Sequence, residues 1–178
     1  FPIFDPQGKV VAYSGRILTK DSEAPKYVNS PDTELFSKSD ILYGYDKAKQ
    51  GIRSMDFSLI VEGQFDVVMA HQAGYSNTVA VSGTALTEHH VMLLQRLSNR
   101  CVLALDSDLA GIAAVKRAAD VMLARGMDVK VAHMPDGKDP ADMIQKDPTE
   151  FKHAIGKATH VIEFLLDVLE DQKLEERT

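Results

Sequence analysis

The chain has 178 residues, 44% of them hydrophobic and 26% charged, with a net charge of −6 and a single cysteine. That length holds one domain with a full core, or one domain plus a small appendage. No apolar run nears the ~20 residues that span a bilayer, and Cys101 has no partner within the chain, so a transmembrane helix in this sequence and an internal disulfide are both excluded.

An acidic balance speaks against a nucleic-acid binder only in bulk. Residues 1–57 carry eight Lys/Arg and eight Asp/Glu, whereas residues 163–178 carry six acids and two bases and so account for −4 of the −6. The start, FPIFDPQGKV, opens inside a hairpin strand with no initiator Met and no signal peptide, as a piece cut from a longer protein would. In residues 1–57, DPQGK, SGR, KDSEAPK and NSPDT punctuate the chain into short strands. FPIFD and VVAYSGRIL form a hairpin around PQGK. SPDTELF predicts a short helix capped by Ser30 or Asp32.

From residue 58 the rhythm changes. SLIVEG, NTVAVSG, CVLALD and DVKVAHM are apolar runs. Between them lie the helical FDVVMAHQAG, TEHHVMLLQRL (opened by Thr87) and AGIAAVKRAADVMLARG. The last of these shows Ile112, Val115, Ala119, Met122 and Leu123 on one face and stops at Gly126. Continuous apolar strands alternating with helices imply an α/β fold with a parallel sheet covered on both faces. PADMIQK, PTEFKHAIG and THVIEFLLDVLEDQKLEE continue as helices. The stripe Val161, Phe164, Leu165, Val168 and Leu169 packs on the body or on a neighbouring domain. The division expected is a small mixed α+β segment at 1–57, the sheet domain at 58–145 and a C-terminal helical segment at 146–178.

In open parallel sheets, ligands bind beyond the carboxyl ends of the strands. Glu62 ends the first strand. Asp106 and Asp108 end the third, and Asp136, Asp139 and Asp142 follow the fourth, so three acidic sets converge on one rim. In extended chain Asp106 and Asp108 point to the same side. Brought together, these carboxylates raise each other's pKa. A divalent cation removes the conflict, and oxygen-only ligands favour Mg²⁺, Mn²⁺ or Ca²⁺ over Zn²⁺. Asp also caps helices, and Asp108 before LAGIAAV fits that role as well. Asp66, one turn after Glu62, either suits the helix dipole or positions Glu62 or water around a metal. SGTALT (82–87) can cradle a phosphate on its N–H groups but lacks the Lys of a P-loop. The six histidines show no zinc spacing. Met69, Met92, Met122 and Met143 read as core filler.

Glu62-Gly-x-x-Asp66, then Asp106-x-Asp108, then DGKDPAD, resembles the Toprim domain of primases, topoisomerases, OLD-type nucleases and RecR-like proteins. SGR at 14–16, KYVNSP at 26–31 and LYG at 42–44 resemble the segment before Toprim in bacterial DnaG-type primases, although Ser14 stands where a Gly is usual. The resemblance covers essentially the whole chain. It implies a Toprim-type parallel-sheet core within an RNA polymerase core fragment. The resemblance includes neither the family's zinc-binding domain, nor the first, basic part of the polymerase core, nor the helicase-binding domain; it implies a fragment that binds metal and nucleotides and leaves its activity alone open.

The implied activity is DNA-templated synthesis of short RNA primers by nucleotidyl transfer, in the bacterial cytoplasm at the replication fork. Its implied partners are a single-stranded DNA template, ribonucleoside triphosphates, the RNA primer and, through a domain absent here, the replicative helicase. Two or more Mg²⁺ or Mn²⁺ ions, with no zinc in this fragment, would act on the attacking and leaving oxygens from ~3.5–4 Å apart. The resemblance carries Glu62, Asp106 and Asp108 over as catalytic residues. With Asp139 they are the direct metal ligands, Asp136 and Asp142 are second choices, and Asp66 supports them. Arg16 and Lys26, aided by Tyr27 and Asn29, hold triphosphate and template, though Lys26 also reads as a solvated loop lysine. A Toprim-type nuclease using the same acids is the alternative. A topoisomerase ranks third, since none of the five tyrosines has a nucleophile's setting. A non-enzymatic scaffold docking a replication partner through the C-terminal helix is the other class.

Overall fold

Leu59, Ile60 and Val61 are all buried, yet they serve two different cores. Leu59 and Val61 pack with Val67, Met143 and Phe151, whereas Ile60 packs with Leu94, Leu103 and Val115. Successive strand side chains point to opposite faces, so a run that is apolar throughout needs helices on both sides. The computed structural model, which describes residues 1–18, 27–106, 108–135 and 138–175, has that layout behind a small N-terminal sheet.

The N-terminal sheet is antiparallel, with β1 (Pro2–Phe4), β2 (Val10–Arg16) and β3 (Tyr27–Asn29) in that order. The Asp5 carboxylate fixes the first turn by accepting from the N–H groups of Gln7 and Lys9, both at 2.9 Å. Ile3, Ala12 and Phe36 make a small core beneath the sheet. The short helix expected in SPDTELF does not form. Thr33 and Phe36 instead exchange backbone hydrogen bonds of 2.8 and 3.3 Å, which close a tight turn. That turn drops Phe36 into the small core at 4% exposure, and burial of a phenyl ring outweighs a local helix preference of a few tenths of a kcal/mol, roughly.

A helix the sequence reading did not anticipate follows, α1 (Tyr45–Met55). Gly44 precedes it at φ 79° with no side-chain cap, so the usual start signal is missing. Its inner face is Tyr45, Ala48, Gly51 and Ile52. Just before it, Tyr43 pairs with Ala80 through backbone bonds of 2.9 and 3.0 Å, which joins the N-terminal segment to the main sheet.

The main body runs β4 (Ser58–Val61), α2 (Gln64–Gln72), β5 (Thr78–Ala80), α3 (Glu88–Gln95), β6 (Arg100–Leu103), α4 (Leu109–Ala124), β7 (Asp128–Val131), α5 (Pro140–Lys146), α6 (Pro148–Gly156), β8 (Thr159–His160) and α7 (Val161–Glu175). The sheet order is β5-β4-β6-β7-β8, with the first four strands parallel and β8 antiparallel on the edge. The expected helix from Thr159 therefore gives up its first two residues, because Thr159 and His160 pair with Val131 and Lys130. Thr87 caps α3 by accepting from the N–H of His90, and Gly126, at φ 74°, follows α4 as expected. Met122 and Met143 are core residues, but Met92 is 37% exposed and fills nothing. On α7, Val161, Phe164 and Leu165 pack against the body, while Leu169 of the expected stripe is exposed.

The order of strands fixes where a ligand can sit. From β4 the chain moves to β5 on one side, then returns across β4 to β6 on the other. Val67 of α2 belongs to one core and Val115 of α4 to the other. The loops leaving β4 and β6 thus part toward opposite faces and open a crevice between the two strand ends.

Candidate active site

The crevice is floored by a five-residue turn, Glu62-Gly-Gln-Phe-Asp66, in which four side chains each grip a different part of the chain. Glu62 Oε1 accepts from the backbone N–H of Asp106 at 3.3 Å, tying the ends of β4 and β6 together. Gln64 Nε2 donates to Ser14 Oγ at 3.1 Å, with both residues buried, and so ties α2 to β2. The Phe65 ring carries the Arg16 guanidinium 4.7 Å from its centre. Asp66 Oδ2 accepts from Gly63 N at 3.0 Å and its Oδ1 from Ala141 N at 3.2 Å, pinning α5 to the turn. Ser14, where a Gly is usual, thus has a partner of its own.

Two other acids are placed by capping. Asp108 Oδ1 accepts from Gly111 N at 2.7 Å at the start of α4, and Asp139 Oδ1 accepts from Asp142 N at 2.7 Å at the start of α5. Each cap engages one carboxylate oxygen, so capping and ligation are compatible for these two residues. Glu62, Asp66, Asp106, Asp139 and Asp142 line a cavity of about 600 Å³ together with Arg16, Tyr27 and Phe65. Asp108 is beside this cavity, at the head of α4, rather than in its lining. Lys26 and Asp136 lie outside the described residues.

Crowding shows in the acids themselves. The Asp106 carboxyl is pushed up to about 6, first by burial and then by Glu62, Asp66, Asp139 and Asp108. Its Oδ1 is buried without a hydrogen-bond partner. Asp66 is also pushed up to about 6, by burial and then Asp139, against the pull of the Gly63 and Ala141 amides. An orphaned carboxylate oxygen among like charges is a cost that a cation relieves.

The donor set is oxygen only. Cys101 is buried in β6 with its thiol pushed up to about 12, mainly by burial, which removes it as a ligand. Among the described residues no three Asp, Glu, His or Cys side chains form a ready-made metal cage. Carboxylate oxygens are the donors that hard divalent cations take.

Arg16 also lies 5.6 Å from the Tyr27 ring centre. Burial raises the Tyr27 phenol, an effect Arg16 opposes. Asn29 Nδ2 donates to Ser82 O at 3.4 Å, while Asn29 Oδ1 and Ser82 Oγ are buried without partners. Ser82 at φ 54° and Gly83 at φ 82° bend the SGTALT segment around a second cavity of about 500 Å³. The two cavities share Tyr27, Glu62 and Gly63. Sequence reasoning missed Gln64 and Phe65 because nothing in their spacing marks them; their partners in β2 are 50 residues or so away.

Comparison with known proteins places this geometry in a family. Residues 59–144 match a family model described as Toprim-like, and residues 1–49 match the N-terminal domain of the DNA primase catalytic core. The DNA primase of Listeria monocytogenes is 43% identical over 85% of this chain. The chain spans 24% of that relative's length. The zinc-binding and RNA polymerase domains of the Aquifex aeolicus primase superpose with a TM-score of 0.86 at 34% identity, over 98% of this chain and 43% of that one. A DnaG primase catalytic domain bound to single-stranded DNA superposes with a TM-score of 0.86 at 36% identity, over 97% of this chain and 55% of that one. The chain therefore belongs to the DnaG-type primase family, of whose catalytic core it forms the Toprim part and the segment leading into it.

Proposed function

We propose that this chain supplies the metal- and nucleotide-binding portion of a primase core, which joins ribonucleoside triphosphates into short RNA primers on a single-stranded DNA template. The observation that carries the reading is the joining of Glu62 to Asp106 across the β4–β6 crevice, in a cavity that Arg16 also lines. The family generally uses divalent metal ions. Mg²⁺ or Mn²⁺, two ions or more, is the cofactor proposed; when bound it would lower the charge on the attacking and leaving oxygens. Glu62, Asp106, Asp108 and Asp139 would hold it, with Asp142 and Asp136 as further candidates. The oxygens left free by the caps of Asp108 and Asp139 support those two assignments.

The chain's own side chains divide the remaining work. Arg16 presents a planar fork suited to phosphate oxygens, and Lys26 is its proposed companion. Tyr27 lines both cavities and Asn29 the second, positions suited to orienting a nucleotide or the template. Asp66 spends both oxygens on backbone amides, so its role is to hold the turn and α5 in register. The bond formed joins the primer 3′-oxygen to the α-phosphorus, and the bond broken releases pyrophosphate. Contact with the replicative helicase would reside in sequence outside this chain, and the site of action would be the cytoplasm. Residues 1–57, 58–145 and 146–178 serve as the proposed functional divisions. Among the described residues, no helix is long and apolar enough to cross a membrane.

The test uses the complete enzyme that contains this chain. Asp106→Ala or Asp108→Ala is expected to abolish primer synthesis on single-stranded DNA while the melting curve in EDTA stays cooperative. Wild-type synthesis by either variant overturns the assignment, and shortened DNA in place of primers favours a nuclease.

A further inference from the structure

Arg16 shares its cavity with five carboxylates, from Glu62, Asp66, Asp106, Asp139 and Asp142. Yet among the described residues it forms no ion pair with any of them. An arginine so placed ordinarily forks onto a carboxylate. Here the guanidinium instead lies over two aromatic faces, at 4.7 Å from the Phe65 centre and 5.6 Å from the Tyr27 centre. Phe65 is 40% exposed, so its ring is not there to fill a core. Its edge contact with the Phe1 ring, centroids 6.3 Å apart at 86°, fixes its orientation.

We propose that Phe65 is a positioning residue whose ring holds the Arg16 guanidinium off the neighbouring carboxylates. The inference rests on the metal–nucleotide reading of the site. A cation and several anions in one cavity would neutralise each other and leave neither a metal site nor a phosphate site. The ring attracts the guanidinium through its π face and offers no negative charge that would satisfy it. The carboxylates stay open to dications, and the guanidinium stays open to a polyphosphate. Released from the ring, Arg16 would close on the acids and compete with the metal, so loss of the ring weakens both binding events at once.

Two titrations on the complete enzyme test this: Mn²⁺ followed by electron paramagnetic resonance, and inorganic tripolyphosphate followed by calorimetry in saturating Mg²⁺. In Phe65→Leu, of similar bulk and without a π face, Mn²⁺ is expected to bind about fivefold more weakly and tripolyphosphate about tenfold more weakly. Phe65→Tyr restores both. In the double variant Phe65→Leu/Arg16→Gln, Mn²⁺ affinity returns because no guanidinium remains to compete, while tripolyphosphate stays weak. Phe65→Met repeats the test should the leucine variant misfold. Binding of both probes by Phe65→Leu as in the unchanged enzyme overturns the proposal. So does a double variant in which Mn²⁺ stays weak, which would show Phe65 acting on the fold and not through Arg16. Failure of the unchanged enzyme itself to bind Mn²⁺ overturns the metal reading, and this proposal with it.

Discussion

Gly111, in the first turn of α4, lies so close to the backbone carbonyl of Asp106 that a Cβ at this position would overlap it. The same glycine donates its N–H to Asp108 Oδ1. One residue without a side chain therefore sets the height of both acids above the end of β6. Gly111→Ala should raise helix propensity by about 1 kcal/mol and still lower metal affinity, because the Asp106 backbone must move. An Mn²⁺ titration is expected to weaken by about tenfold or more, the scale on which outer supports of a metal act. Gly156→Ala, at the end of α6 with no neighbour near its Cβ, is the matched control and should leave Mn²⁺ binding unchanged.

Asp66 offers a different kind of test, since both its oxygens are committed to Gly63 N and Ala141 N. Asp66→Ala leaves two amide donors without acceptors, one buried at Ala141 and one half-buried at Gly63. The expected loss is about 1–3 kcal/mol for each, read as a lower urea midpoint without metal. Asp66→Asn keeps one acceptor oxygen and should retain part of that stability. If alanine and asparagine cost the same, the carboxylate acts by charge and the clamp is not its role.

The pH dependence of stability without metal has two opposed parts. Asp66 and Asp106 rise from the ordinary 3.8 to about 6, chiefly by burial. Between those values the folded chain keeps protons that the unfolded chain has lost. Their contribution is complete below 3.8 and is lost as pH rises through about 6. His90 works the other way. It is fully buried, its Nδ1 accepts from Thr87 N at 3.3 Å, and its Nε2 faces the carbonyls of Lys38 and Ile41 without a well-formed bond. Burial lowers it from 6.5 to about 4, so its contribution is complete above 6.5 and is lost as pH falls toward 4. Melting in EDTA across that range should show His90→Gln removing a loss on the acid side. Asp106→Asn should remove one on the neutral side, and Mg²⁺ should remove the same one.

The Ser14–Gln64 hydrogen bond joins two regions 50 residues apart inside a buried contact. Ser14→Ala and Gln64→Ala, alone and together, form a double-mutant cycle. A coupling of about 0.5–1.5 kcal/mol is expected. A cycle that closes at zero means the two subregions are held by the Tyr43–Ala80 pairing and apolar contact alone.

How much of this was legible beforehand depended on the range of the interaction. The four parallel strands, their crossing helices and the rim of acids follow from apolar runs and strand ends, which are local patterns. The capping roles of Asp108 and Asp139 were equally local, since each oxygen reaches an N–H three residues on. Three things were hidden. α1 lacks a cap residue and starts behind a left-handed glycine, so no start signal exists. The turn at Thr33–Phe36 is decided by where Phe36 lands, which only the N-terminal sheet determines. The grip of Gln64 on Ser14 and of Phe65 on Arg16 requires two distant segments to meet, and side-chain type alone carries no trace of it.

The turn from Glu62 to Asp66 has one further consequence, for the order of events as the polypeptide matures. Its contacts reach residues 44, 50 and 75 positions away. The first needs β4 and β6 side by side, the second the N-terminal hairpin docked, and the third α5 docked. Helices and hairpins close early on local contacts alone, but a newly made or half-folded chain would own the acids without owning the site. If the site binds dications as proposed, that affinity follows docking of the segments and does not precede it, so metal uptake would report on a late stage of folding.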